Sequence, residues 1–157
     1  MLNRLKNKIA ALQKFSFGDE LKKIVEDNKD KLADLQRDQL VKGKDSNNNY
    51  IKLKDNHSYG GGYRPFTINE KQRYGKGTGA IVGHITWFMT GKLHESIRAF
   101  ISGDKFRLKS HDFKFEKLII RSGEEAIGLN ADSRREFVTE VTRPNILKVY
   151  QEKVAGV

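Results

Sequence analysis

Between Asn56 and Gly83 the chain carries seven of its fourteen glycines, three of its five tyrosines and one of its two prolines. The stretch reads "NHSYGGGYRPFTINEKQRYGKGTGAIVG" and sustains no long apolar period. Glycine costs backbone entropy in a helix or strand. Loops this long inside a compact domain are usually functional or disordered. The expectation is an extended excursion over 56–83, a loop or arm, which divides the regular patterning into two ends and a middle.

Before it, Leu2, Leu5, Ile9 and Leu12 recur at spacings of three or four and predict an amphipathic helix over 1–15. "SFGD" breaks that pattern, with Ser16 or Asp19 as cap of a second helix over 19–41 that is liable to break near Asn28. Gly43 suits the helix C-cap, the Asn run of "KGKDSNNNY" suits a turn, and "YIKLKD" alternates as a short strand does. After the excursion, "HITWFM" predicts a strand with Ile85, Trp87 and Met89 on one face, followed by a short helix over 90–99. "RAFISGDKFRLKS" predicts a hairpin around Gly103-Asp104, with Phe100 near Phe106 and Leu108. "HDFKFEKLIIRSG" reads as strand or short helix, buried through Leu118, Ile119 and Ile120. The end reads as helical: Asp132 or Ser133 caps a helix carrying Phe137, Val138 and Val141, and Pro144 opens a last one. The fold class is therefore α+β, one domain over 1–157, with N- and C-terminal helices around a small antiparallel sheet.

Charge and composition narrow the function. The net charge is +10, distributed as +3 over 1–50, +5 over 51–100 and +2 over 101–157. The middle is the basic part, and a polyanion is a plausible neighbour. Without cysteine, thiolate catalysis and Cys-ligated zinc are excluded. Lysines interrupt the first twenty residues and no run of 18 apolar residues occurs, so neither a secretory leader nor a membrane span is expected. A cytoplasm, or a particle assembled there, is the expected setting.

No catalytic or metal motif closes. His94-Glu95 begins an HExxH zinc helix, but Arg98 stands where the second His must be. "DSNNNY" from Asp45 offers oxygens at Asp45, Asn47 and Asn49, but a calcium loop needs Gly and Glu where Tyr50 and Asn56 stand. "YGKGTG" has neither the spacing of a Walker loop nor the strand before a dinucleotide loop. His57, His84, His94 and His111 have no spacing that joins them, and no nucleophile elbow is present. No enzyme activity and no cofactor is expected, and His94 and Glu95 read as solvent-side residues. Lys52, Lys54, Arg64, Lys71, Arg73, Lys76 and Lys92 interleave with Tyr59, Tyr63, Phe66 and Tyr74. That mixture suits single-strand binding by charge and stacking, and it also suits protein contact, where Tyr and Arg dominate. Arg64, Lys71, Arg73, Tyr74 and Lys76 are the candidate partner- or DNA-facing residues.

The phrase "MTGKLHESIRAFIS" resembles the Thr-Gly-x-Leu-x-x-Ser-Ile phrase of tail-completion and head–tail connector proteins of tailed bacteriophages. "DQLVKGKDSNNNYI" and "GEEAIGLNADSRREF" are similar to neck and ring proteins of crAss-like phages, and the likeness covers roughly residues 32–150 in outline. The basic Gly/Tyr excursion is larger than in the simplest members. The resemblance implies a small, non-catalytic α+β virion protein, assembled in the host cytoplasm. It would form a ring in the neck that joins the capsid portal to the tail. The implied partners are identical copies, the portal or adjoining neck and tail proteins, and DNA in the channel. Thr90, Gly91, Leu93, Ser96 and Ile97 match the shared phrase, and Gly128 and Leu129 match the later one. Thr90 is expected to cap a helix, with Leu93 and Ile97 on one helix face under the sheet. The alternative reading is a basic nucleic-acid-binding protein acting through charge and aromatic stacking.

Overall fold

A computed structural model of the chain describes residues 6, 7, 9, 10, 13, 15–75, 81–103 and 105–155. Helical residues occur at 6, 7, 9, 10 and 13, while Leu2, Leu5 and Leu12 of the first expected helix lie outside the described residues, as do Lys76 and Asp104. The chain forms two compact units, one of residues 1–28 with 135–157 and one of residues 29–134.

In the first unit, helix α1 spans Phe17–Asp27. Ser16 caps it by accepting the amide N–H of Asp19 at 3.3 Å, which satisfies one of the donors a helix start leaves unpaired. It ends at Asn28, as the "EDNKDK" interruption predicts, and Asn28 donates its side-chain amide to the Ile24 carbonyl at 2.8 Å. Arg135 onward is helical to Ala155, with π-helical turns at Val138–Thr142 and Gln151–Ala155. Pro144 lies in the stretch between them, which accounts for the widened turn: proline has no N–H and its ring crowds the carbonyl four residues back. Asn145 donates to the Val141 carbonyl there, at 2.8 Å. Ile24, Phe137 and Val141 are the buried apolar residues of this unit, Phe15 meets Tyr150 edge to face at 6.0 Å, and Lys153 pairs with Glu20.

In the second unit, α2 spans Lys29–Val41 and buries Leu32, Ala33, Leu35, Gln36, Gln39 and Leu40. Gly43 follows it in the left-handed region at φ 67°, close against His84. The expected strand at Tyr50–Asp55 forms no ladder, and its last two residues lie in a turn. The amides of Ile51, Leu53 and Lys54 donate to three separate carbonyls, of Gly43, Gly61 and Arg121, and only Lys44 and Tyr50 bridge.

The excursion over 56–83 is also corrected. It holds a 3₁₀ turn at His57–Tyr59 and helix α3 at Pro65–Tyr74, started by Pro65 in its first turn. "HITWFM" is not a strand. Trp87 stands at φ 55°, in the left-handed region, which breaks the alternation a strand requires.

Helix α4 is one turn, Lys92–Glu95, and β1 begins at Ile97, so the helix expected over 90–99 is shorter than its pattern. β1 (Ile97–Ser102) and β2 (Lys105–Ser110) form the antiparallel hairpin, and β1 packs on α2. Phe100 lies opposite Arg107 rather than beside Phe106 or Leu108, and it points outward. Helix α5 (Phe115–Ser122) buries Phe115 but leaves Ile120 75% exposed, contrary to the burial expected from its apolar run. Helix α6 (Ala131–Phe137) is capped by Asn130, whose side-chain oxygen accepts the Ser133 N–H at 2.9 Å, and not by Asp132 or Ser133. The class is α+β.

Candidate functional site

A segment with apolar residues at 85 and 87 must bury its backbone, and buried amides need partners. Among the described residues, no neighbouring strand supplies them to residues 84–89. Side chains do. The Thr86 N–H donates to the Tyr63 hydroxyl at 2.9 Å. The Thr86 carbonyl meets His94 Nε2 at 2.8 Å. Lys71 Nζ, on α3, donates to the Phe88 carbonyl, to Thr86 Oγ1 at 3.2 Å and to the Tyr63 hydroxyl at 3.3 Å. Trp87 Nε1 donates to Ser122 Oγ at 3.2 Å, and its ring meets Phe115 edge-on.

Lys71 is therefore no partner-facing residue. It is 1% exposed, and its three donors are all used. No carboxylate pairs with it among the described residues, so oxygen dipoles and the Tyr63 ring, 4.7 Å from the ammonium, stabilise the charge. His94 is likewise buried rather than solvent-side. Burial lowers its pKa, and the cations of Lys71 and Arg37 lower it further against the raising effect of the Thr86 carbonyl. It stands as a neutral imidazole whose Nε2–H donates to Thr86.

Two further loops are held the same way. Arg37 donates Nε to the His94 carbonyl and Nη2 to the Ile97 carbonyl, each at 2.9 Å. Gln36 Oε1 accepts the Gly128 N–H at 2.8 Å. Gln39 accepts the Asn130 N–H and donates to the Gly128 carbonyl, both at 2.8 Å. This pattern clamps the segment that carries Leu129, itself buried.

The residues of the shared phrase meet where α4 enters the hairpin. Leu93 and Ile97 are both buried, but Ile97 is the first residue of β1, not a helical partner of Leu93. Ser96 donates Oγ to the Leu93 carbonyl at 2.8 Å and meets Ser110 Oγ at 2.5 Å, which ties the helix end to the last residue of β2. Thr90 is exposed and caps nothing. Gly91 holds the N-cap position at φ 90°, where a Cβ would lie 3.3 Å from the Phe88 ring.

Of the other candidates, Arg64 donates Nε to Asn56 at 2.8 Å and lies 3.9 Å from Asp55. Asp55 is held below the usual carboxylate range, chiefly by its hydrogen bond to Arg121. Arg73 and Tyr74 remain exposed at the end of α3, the guanidinium 5.1 Å from the ring. Lys71 is buried while Arg64, Arg73 and Tyr74 are exposed, so these four do not form one surface.

A cleft of about 850 Å³ is lined by Asp45, Tyr50, Lys52, Lys54, His57 and Glu125 among others, and its charges are mixed. Asp45 Oδ1 is occupied by the amides of Asn47 and Asn49, at 2.9 and 2.8 Å, so the calcium-like loop closes on itself. Among the described residues, no group of three His, Asp or Glu is placed to hold a metal ion, and no helix is long and apolar enough to cross a membrane.

The buried Lys71 and His94 and the half-buried Tyr63 were missed in the sequence because nothing local marks a polar side chain as a strand's substitute. The helix that carries Lys71 did have a signal: Pro65 followed by nine residues without glycine. The chain matches no family model, no curated protein and no solved structure.

Proposed function

We propose that this chain is a structural subunit of a tailed-phage neck, forming a ring that connects the capsid portal to the tail. One observation carries the reading: the polar side chains that would serve a reaction are consumed in holding the chain's own loops. Lys71, Tyr63, His94, Gln36, Gln39 and Arg37 each bond to backbone groups 8 to 92 residues away. The buried part of the shared phrase, Leu93, Ser96 and Ile97, joins a helix to a hairpin, as scaffold residues do.

The exposed apolar residues fit the same reading. Phe66, Phe113 and Ile120 are 75%, 78% and 75% exposed, the kind of surface that neighbouring subunits cover. Immunogold labelling of the parent particles with an antibody to this chain tests the placement. Label at the junction of head and tail is expected. Label confined to free protein, with particles unlabelled after opening of the neck, overturns it.

A further inference from the structure

We propose that the outward face of the β1–β2 hairpin is a contact surface for duplex DNA, an inference independent of the ring reading. The strand period of two fixes which side chains share that face. Ile97, Ala99 and Leu108 are buried on the inward side. Arg98, Phe100, Ser102, Lys105, Arg107 and Lys109 therefore point outward, and all six are exposed.

The cross-strand pairs on that face are Arg98 with Lys109, Phe100 with Arg107 and Ser102 with Lys105. A cation directly opposite a cation destabilises a hairpin, and opposite charges there would stabilise it. The folded chain alone gains nothing from setting Arg98 opposite Lys109. An anionic partner does.

Nothing within the described residues neutralises the face. Lys105, Arg107 and Lys109 form no ion pair there, and Arg98 spends its Nη1 on the carbonyls of Glu95 and Ile97. Glu116 and Glu124 line a groove of about 430 Å³ that Arg107 and Lys109 also border, yet neither pairs with them.

A protein partner is the weaker match, because interface cores are depleted in lysine and this face has one apolar residue among four cations. The phosphate backbone is the stronger match, since phosphate contacts come from Lys and Arg and require no apolar core. The shape selects the duplex. The major groove of B-DNA admits a two-stranded β-ribbon, whereas the major groove of A-form RNA is too narrow and deep for side chains. Phe100, set centrally with His111 edge-on at 6.2 Å, is placed for apolar contact with base edges such as the thymine methyl.

The test is fluorescence anisotropy of the full chain with labelled 20-base-pair DNA, the same sequence as duplex RNA, and the single DNA strand. Four phosphate contacts give a slope of log affinity on log salt of about −3.6, so binding weakens about 10²-fold between 50 and 200 mM salt. Arg107→Gln/Lys109→Gln is expected to reduce that slope by about 2. Arg73→Gln, an exposed cation on α3, is expected to leave the slope nearly unchanged. Duplex DNA is expected to bind tighter than duplex RNA. The proposal is overturned by no DNA binding at 50 mM salt, or by equal salt slopes in wild type and the hairpin variant. Tighter binding of the single strand, lost on Phe100→Ala, also overturns it and assigns the face to base stacking.

Discussion

Replacing Gln39 with leucine isolates the loop-clamping role of the buried polar residues. Leucine keeps most of the side-chain volume and removes both functional groups. Gln39 is 2% exposed and bonds the Asn130 amide and the Gly128 carbonyl at 2.8 Å, with longer contacts to the Lys44 carbonyl and Ser133 Oγ at 3.3 Å. A buried donor or acceptor left without a partner costs about 1–3 kcal/mol, so the two short bonds alone predict a loss of about 2–6 kcal/mol. That is a large part of a typical domain stability of about 5–15 kcal/mol.

Gln36→Met is the internal comparison. Gln36 makes one bond, to Gly128, and its buried Nε2 has no partner among the described residues. Methionine orphans one amide and removes one unsatisfied donor, so the two effects offset within about 1 kcal/mol. The assay is urea unfolding followed by Trp87 fluorescence. The chain has one tryptophan, and it lies in the unit of residues 29–134. A loss below about 1 kcal/mol for Gln39→Leu, or a loss as large for Gln36→Met, would refute the clamp argument.

Three more outcomes follow from the same geometry. Gly43→Ala places a Cβ 2.2 Å from His84 Cδ2 at φ 67° and is expected to destabilise by more than the about 1–2 kcal/mol of a left-handed residue alone, read by the same unfolding assay. Because the pKa of His94 is lowered on folding, the unfolded chain binds the extra proton first. The contribution of His94 is complete above pH 6.5 and is lost as pH falls from 6.5 toward the lowered folded value, at up to about 1.4 kcal/mol per pH unit; His94→Gln should flatten that difference in urea titrations at pH 7 and pH 5.5. Phe113→Asp/Ile120→Asp should leave the unfolding free energy within about 0.5 kcal/mol of wild type, since both side chains are exposed, while on the proposed ring reading light scattering should register loss of self-association.

What the sequence disclosed was local. The break at Asn28 and the cap at Ser16 follow from short-range polar chemistry, and both are present. The hairpin was legible from the glycine at its turn, whereas Ile97 and Ala99, expected on a helix over 90–99, belong to β1. The strand expected over 84–89 failed for a reason no neighbour in sequence reveals. Its backbone is paired by Tyr63, Lys71 and His94, and Trp87 stands in the left-handed region in the middle. A lysine reads as surface in any pattern argument, so Lys71 was assigned outward, and only the oxygens of Tyr63, Thr86 and Phe88 account for its burial. Of the shared phrase, Leu93 and Ile97 are both buried, but Ile97 opens β1 instead of sharing a helix face with Leu93, and the cap assigned to Thr90 is taken by Gly91, whose positive φ the turn requires.

The mass of the purified chain in solution, measured by light scattering and imaged by negative stain, bears most directly on the ring. The account predicts closed rings of identical copies, formed by the chain alone or on addition of its portal or tail neighbours. A chain that stays strictly monomeric at high concentration, both alone and with those neighbours, would contradict it.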